Sequence, residues 1–202
     1  MQANNIEDGN TLFPVFLKLE NLNLLLVGGG NVALEKLEAI FKNSPNARVK
    51  LVAIDIFNLT RAFLSDHKIP YEERPFYEND LEGVNLAIIA VNDHDASRQI
   101  KEACAGRNVL ANVADTPAQC DFYLGSVVKK GNLKVAISTN GKSPTVAKRL
   151  KETLNAALPD EMDSLLSNIS AIRDNLKGDF AEKVRQLDKL TKNLSPDQSA
   201  GR

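Results

Sequence analysis

The chain has no tryptophan, only three Tyr and eight Phe in 202 residues, so any aromatic stacking must come from those few rings. Its two cysteines, Cys104 and Cys120, show neither CxxC spacing nor a disulfide-rich pattern. That excludes a disulfide scaffold and leads us to expect a reducing, cytoplasmic setting. No apolar run reaches about 18 residues, so no membrane-spanning helix is expected. The first twenty residues, MQANNIEDGNTLFPVFLKLE, lack the basic start and unbroken apolar stretch of a secretory signal. The net charge is only −1, which argues against a protein that coats nucleic acid through bulk charge. Neither His67 nor His94 has a second His or Cys at metal-ligand spacing, so both read as loop or cap residues and no metal site is expected. Cys104, inside a helical pattern, reads as core.

What the chain does have is a regular alternation of apolar runs and helical patterns. Residues 22–28 (LNLLLVG), 49–54, 85–92 and 109–114 are short apolar runs of the kind buried on both faces of a parallel sheet. Between them, 31–41 places Val32, Leu34, Leu37 and Ile40 mostly on one helical side, and 58–67 and 95–107 read as further helices. The expected fold class is α/β: a Rossmann-like parallel sheet domain over residues 1–114 with helices on both faces. The rhythm then changes. FYLGSVVKK and LKVAISTN flank Gly131–Asn132 as a β-hairpin, within a region set at 115–145. From Ser143 on, helical spacing returns. Met162, Leu165, Ile169, Ile172 and Leu176 recur at three and four, and Phe180, Val184, Leu187 and Leu194 continue the pattern, with breaks at Leu158–Pro159 and Gly178. A small helical domain is expected over 146–194 and a disordered tail over 195–202.

Three consecutive glycines stand between the first apolar run and the first helix, in LLLVGGGNVALEK. Gly28-x-Gly30-x-x-Ala33 matches the dinucleotide fingerprint: a tight turn at the first glycine, close approach of pyrophosphate at the second, and helix-to-strand packing at the small third residue. A merely structural glycine turn is the alternative, and the strand before and helix after weigh against it. The acidic residue that would hold the adenosine ribose is Asp55, a little late in the sequence; it serves equally well as a helix cap before IFNLT. No arginine follows Ile54 to receive a 2′-phosphate, which favours NAD over NADP.

Asp115 ends the apolar run VLANVA at the sheet edge where open α/β folds bind ligands, although an Asp before Thr-Pro is also an ordinary turn residue. From Phe122 to Lys151 there are seven cations, among them Lys129 and Lys142, and no carboxylate. Such asymmetry in a balanced chain points to a polyanionic partner, or else to a solvated cationic face. A small molecule bearing many carboxylates fits better than nucleic acid, because aromatic residues interleaved with the cations are few.

Taken together, GGGNVALEK, AVNDHDASRQI, NVADTP, CDF and ISTNGKSP, in this order over residues 12–158, resemble the precorrin-2 dehydrogenase/sirohydrochlorin ferrochelatase family, which includes the amino-terminal module of siroheme synthases. The resemblance implies NAD-dependent oxidation of precorrin-2, a polycarboxylate tetrapyrrole, to sirohydrochlorin. In many members it also implies insertion of ferrous iron, there a substrate, to give siroheme. It further implies a homodimer built through the hairpin region. By matching positions, Asp115 is the family's essential carboxylate, taking a proton as hydride leaves or assisting pyrrole deprotonation during chelation. Gly28, Gly30, Asn31, Val32, Ile54 and Asp55 fall at cofactor positions. Thr139 stands where the family often has a serine near the tetrapyrrole, and Lys129 and Lys142 are the substrate-side cations singled out. Gly125 replaces a frequent proline. At 202 residues the chain is expected to lack the methyltransferase domain fused in full siroheme synthases. A function of another class, an NAD-sensing regulatory domain without catalysis, would bind the dinucleotide and turn over no tetrapyrrole.

Overall fold

In the computed structural model, which describes residues 9–176 and 178–191, the first apolar run forms β1 (Asn23–Val27) with Leu24 to Val27 fully enclosed. Successive side chains leave a strand on opposite faces, so a run without polar residues needs cover on both sides. Leu24 and Leu26 pack with Leu37 and Ile40 of α1 (Asn31–Asn43) and Leu64 of α2 (Asn58–Asp66). Leu25 and Val27 pack the other way, with Ile100 and Cys104 of α3 (His94–Gly106). Cys104 is core, as its helical setting suggested.

The remaining strands of this sheet are β2 (Arg48–Ala53), β3 (Tyr71–Glu73), β4 (Leu86–Ile89) and β5 (Leu110–Val113). All pairs are parallel, in the order β3-β2-β1-β4-β5. The chain therefore builds outward from β1 to β3, returns, and builds outward again on the other side. Val27 sits beside both Val52 and Ile89 in the register, so the carboxyl ends of β1, β2 and β4 lie together at the switch point, where such sheets open a crevice. The expected parallel sheet with two covered faces is present.

Strand β3 escapes the sequence reading. It is three residues long, carries two glutamates and has no buried position, so it leaves no apolar period. Salt bridges place it instead, and a short 3₁₀ turn at Glu78–Leu81 carries the chain to β4 where a helix would be usual. His67 is the C-cap of α2, in keeping with a cap role, whereas His94 is the first residue inside α3, after the N-cap Asp93.

The described chain divides into two compact units. One runs to Ser126 and takes in Ser138–Ala147; the other comprises Val127–Ile137 and the chain from Lys148 onward. In the second unit, β6 (Ser126–Lys130) and β7 (Leu133–Ile137) form the expected hairpin, turning at Gly131 with φ +57°. Asp163, at the start of α5 (Met162–Asn175), accepts from the backbone amide of Asn132 at 2.9 Å and from its side-chain amide at 2.6 Å. Lys130 pairs with Asp160 just upstream, so one of the seven cations is already neutralised. Helix α4 (Pro144–Ala157) starts with Ser143 accepting from the Val146 amide, and α6 (Phe180–Thr191) follows α5 after Gly178. Leu194 and the expected tail at 195–202 lie outside the described residues. Among the described residues, no helix is long and apolar enough to cross a membrane.

Candidate dinucleotide site

The three glycines are needed for three different reasons. Gly28 has φ +123°, and a Cβ there would lie 2.2 Å from the Ala90 carbonyl oxygen, so backbone crowding and a left-handed conformation both demand glycine. Gly29 is pressed against the next loop: its Cβ would lie 2.3 Å from the Asp55 carbonyl oxygen, and its own carbonyl accepts from the Phe57 amide at 3.0 Å. At Gly30 a Cβ would meet only the edge of the Phe57 ring, at 3.7 Å. Gly30 is the N-cap of α1 and has no side chain to cap it, and the first turn carries no acidic residue. The Leu34 amide bonds back to the Gly30 carbonyl at 3.1 Å, and the helix amides before it have no acceptor within the helix. Open amides with the positive end of the helix dipole form an anion site.

A cavity of about 800 Å³ lies over this turn, at the carboxyl ends of β1, β2 and β4. Gly30, Asn31, Val32, Ile54 and Asp55 all line it, so five of the six expected cofactor positions converge on one space. Gly28 does not line it; it sits behind the wall, against Ala90. Asp55 is exposed and is no helix cap, since Phe57 holds the N-cap position of α2. The charged residues lining the cavity are Asp55, Glu78 and Asp93, with no Lys or Arg among its lining residues. A second helix, α3, also starts here, but Asp93 caps it, accepting from the amides of Asp95 at 2.8 Å and Ala96 at 3.0 Å. Those two amides hold the Asp93 carboxyl below its ordinary range.

Sequence reasoning missed one wall. Pro75, Phe76, Tyr77 and Glu78 form an arch after β3 that lines the cavity together with Ile54 and Asp55. The signal was the acidic–basic run EERP, whose charges are all used. Glu73 accepts from the Ile56 amide at 3.2 Å and pairs with Arg61 at 2.7 Å, which ties β3 to the loop carrying Asp55. Arg61 is the main cause holding the Glu73 carboxyl below its usual range.

Asp115 lies two residues beyond β5, exposed, with φ +58° in the left-handed region. It does not line the cavity but stands on the same carboxyl edge of the sheet, after the Ala114 amide has bonded to the Ile89 carbonyl at 2.9 Å. The following chain is folded back on β5. The Cys120 thiol accepts from the Val113 amide at 3.2 Å, and Asp121 accepts from the Ala111 amide at 2.8 Å while pairing with Lys101. Burial pushes the Cys120 thiol above its ordinary pKa. Residues 139–142 (TNGK) form a tight turn with Asn140 at φ +54° and Gly141 at φ +72°, closed by the Lys142 amide on the Thr139 carbonyl at 3.0 Å. The turn rests on Pro117, 3.5 Å from a Cβ built on Gly141, close in sequence to Asp115. The Thr139 hydroxyl is engaged locally, donating to the Ser143 carbonyl at 3.1 Å and accepting from its amide at 3.2 Å. Lys142 is exposed in this turn, while Lys129 is exposed on β6 in the other unit. Among the described residues, no group of three or more His, Cys, Asp or Glu could hold a metal ion.

Comparison with known proteins bears on the family and the fold. A family model described as "Putative NAD(P)-binding" matches residues 15–126, and one described as "Sirohaem biosynthesis protein central" matches 130–157. The siroheme synthase of Pseudoalteromonas translucida is 32% identical over 167 residues, covering 83% of this chain and 35% of the relative. That of Citrobacter koseri is 31% identical over 180 residues, covering 88% of this chain and 39% of the relative. The chain thus spans little more than a third of the length of these curated relatives. A solved structure named SirC, precorrin-2 dehydrogenase, superposes with a TM-score of 0.71 over 89% of each chain at 22% identity, a likeness of fold. The chain belongs to the NAD(P)-binding family, joined here directly to the central segment of sirohaem biosynthesis proteins.

Proposed function

We propose that this protein oxidises precorrin-2 to sirohydrochlorin with NAD⁺. The observation that carries the reading is the cavity on the glycine turn. It offers the uncapped start of α1 for the diphosphate and Asp55 for the adenosine ribose, and no lining cation for a 2′-phosphate. That lining supports NAD over NADP. When bound, the dinucleotide supplies the hydride acceptor. The chain's own part is to orient it and to take the proton. Asp115, on the same sheet edge, accepts the proton that the macrocycle loses as it is oxidised. Thr139, Lys142 and Lys129 are assigned to the carboxylates of the substrate, the first two through the turn that rests on Pro117. We assign a homodimer to the hairpin. A two-stranded sheet is marginal alone, and β6 and β7 pair only with each other among the described strands.

The test is anaerobic incubation of purified protein with precorrin-2, with and without NAD⁺. NADH is expected to appear in step with sirohydrochlorin. Tight NAD⁺ binding with neither turnover nor tetrapyrrole binding would replace the enzyme by an NAD-sensing domain.

A further inference from the structure

We propose that Arg74 and Asp80 are positioning residues for the dinucleotide: their ion pair fixes the Pro75–Glu78 arch as the adenosine-side wall of the cavity. The inference rests on reading the cavity as a dinucleotide site. Neither residue lines the cavity. Each holds one end of the arch by its backbone. Arg74 Nη1 donates to the Pro75 carbonyl at 2.8 Å, and Asp80 Oδ2 accepts from the Tyr77 amide at 2.9 Å. Between them the two side chains make a two-pronged bond, at 2.8 and 2.6 Å. Only a planar guanidinium can serve both carboxylate oxygens and a carbonyl together. The guanidinium also lies 5.1 Å from the centre of the Tyr77 ring, and Glu72 takes its remaining edge at 2.7 Å.

The Asp80 side chain is only 4% exposed. An ion pair with one partner this buried is weak evidence for stability, which turns attention to what it positions. The place of the arch supplies the answer. It follows β3, beyond β2, on the side of the switch point where Asp55 would hold the adenosine ribose, and it lines the same cavity as Ile54 and Asp55. It has no helix behind it, since the link to β4 is a single 3₁₀ turn. The ion pair therefore stands in for the missing helix.

The experiment measures NAD⁺ and AMP binding by calorimetry on the full chain, with KM for NAD⁺ and kcat in the precorrin-2 assay. Arg74→Lys keeps the charge and loses the fork; Asp80→Asn keeps the shape and loses the charge. For Arg74→Lys, AMP and NAD⁺ are expected to weaken together by about tenfold, the lower end of the scale of one charge-assisted hydrogen bond, since the bond lost is to the arch and not to the ligand. KM for NAD⁺ should rise likewise, with kcat at saturating NAD⁺ within about twofold of the parent, since the nicotinamide side is untouched. Asp80→Asn should move both affinities in the same direction and by a smaller factor. Parent-like AMP affinity in both variants overturns the positioning role while leaving the site reading intact. A fall in kcat without a rise in KM also overturns it. A parent protein that binds neither NAD⁺ nor AMP overturns both the site reading and this inference.

Discussion

Gly28 and Gly30 stand two residues apart in one motif, yet the structure separates what each protects. Gly28→Ala would push a methyl to 2.2 Å from a backbone oxygen at φ +123°. Overpacking costs about 1–3 kcal/mol and a left-handed non-glycine residue about 1–3 more. A contact this short with backbone, which cannot swing aside, belongs in the upper half of that range. At roughly 2–4 °C per kcal/mol for a chain of this size, the melting midpoint should fall by about 10 °C or more. Gly30→Ala should behave differently. Its φ of −85° suits any residue, and the nearest atom to the new methyl is a ring carbon at 3.7 Å. The loss of a capping preference is offset by the reduced freedom of the unfolded chain, so the midpoint should stay within about 2 °C. The methyl would stand in the cavity where a phosphate must approach the amides. Losing one charged hydrogen bond, about 1.5–3 kcal/mol, weakens NAD⁺ by roughly 10- to 150-fold. Calorimetric melting and NAD⁺ titration of both variants check this. A Gly30→Ala protein that binds NAD⁺ as the parent does would refute the placement of the diphosphate.

Asp115→Asn should lower kcat by about 10²- to 10⁴-fold, with the NAD⁺ dissociation constant unchanged because the residue lies outside the cavity. Asn tolerates the same left-handed backbone, so the melting midpoint should not move; an unchanged kcat removes Asp115 from the chemistry. Asp80 gives a pH signature. Arg74 is the main cause holding its carboxyl below the ordinary range in the folded protein. The resulting stability is present above the unfolded value of about 4 and is lost as pH falls through the lower folded value. Asp80→Asn should therefore melt with a flatter dependence on pH below about 4, and an acid limb as steep as the parent's would show that the pair carries no such linkage.

Much of the site was legible because its chemistry depends on local pattern. An apolar run that enters glycines and leaves as a helix can be recognised without knowing the sheet order, and five of its expected positions meet in one cavity. The arch was not legible. Its strand, Tyr71–Glu73, is polar and brief, and its geometry depends on partners at Arg61 and Lys50, distant in sequence, and at Asp80. The two roles open for Asp55 in the sequence could be separated only by seeing that α2 starts at Asn58 with Phe57 as its cap. Reading the cations from composition alone likewise hid the fact that Lys130 already has Asp160 beside it.

Three helices, α1, α2 and α3, begin at the rim of one crevice, and Asp93 has already filled the amide socket of α3. An anionic group is thus turned away from that socket by the carboxylate and left the glycine-turn start of α1, whose first turn carries no acidic residue.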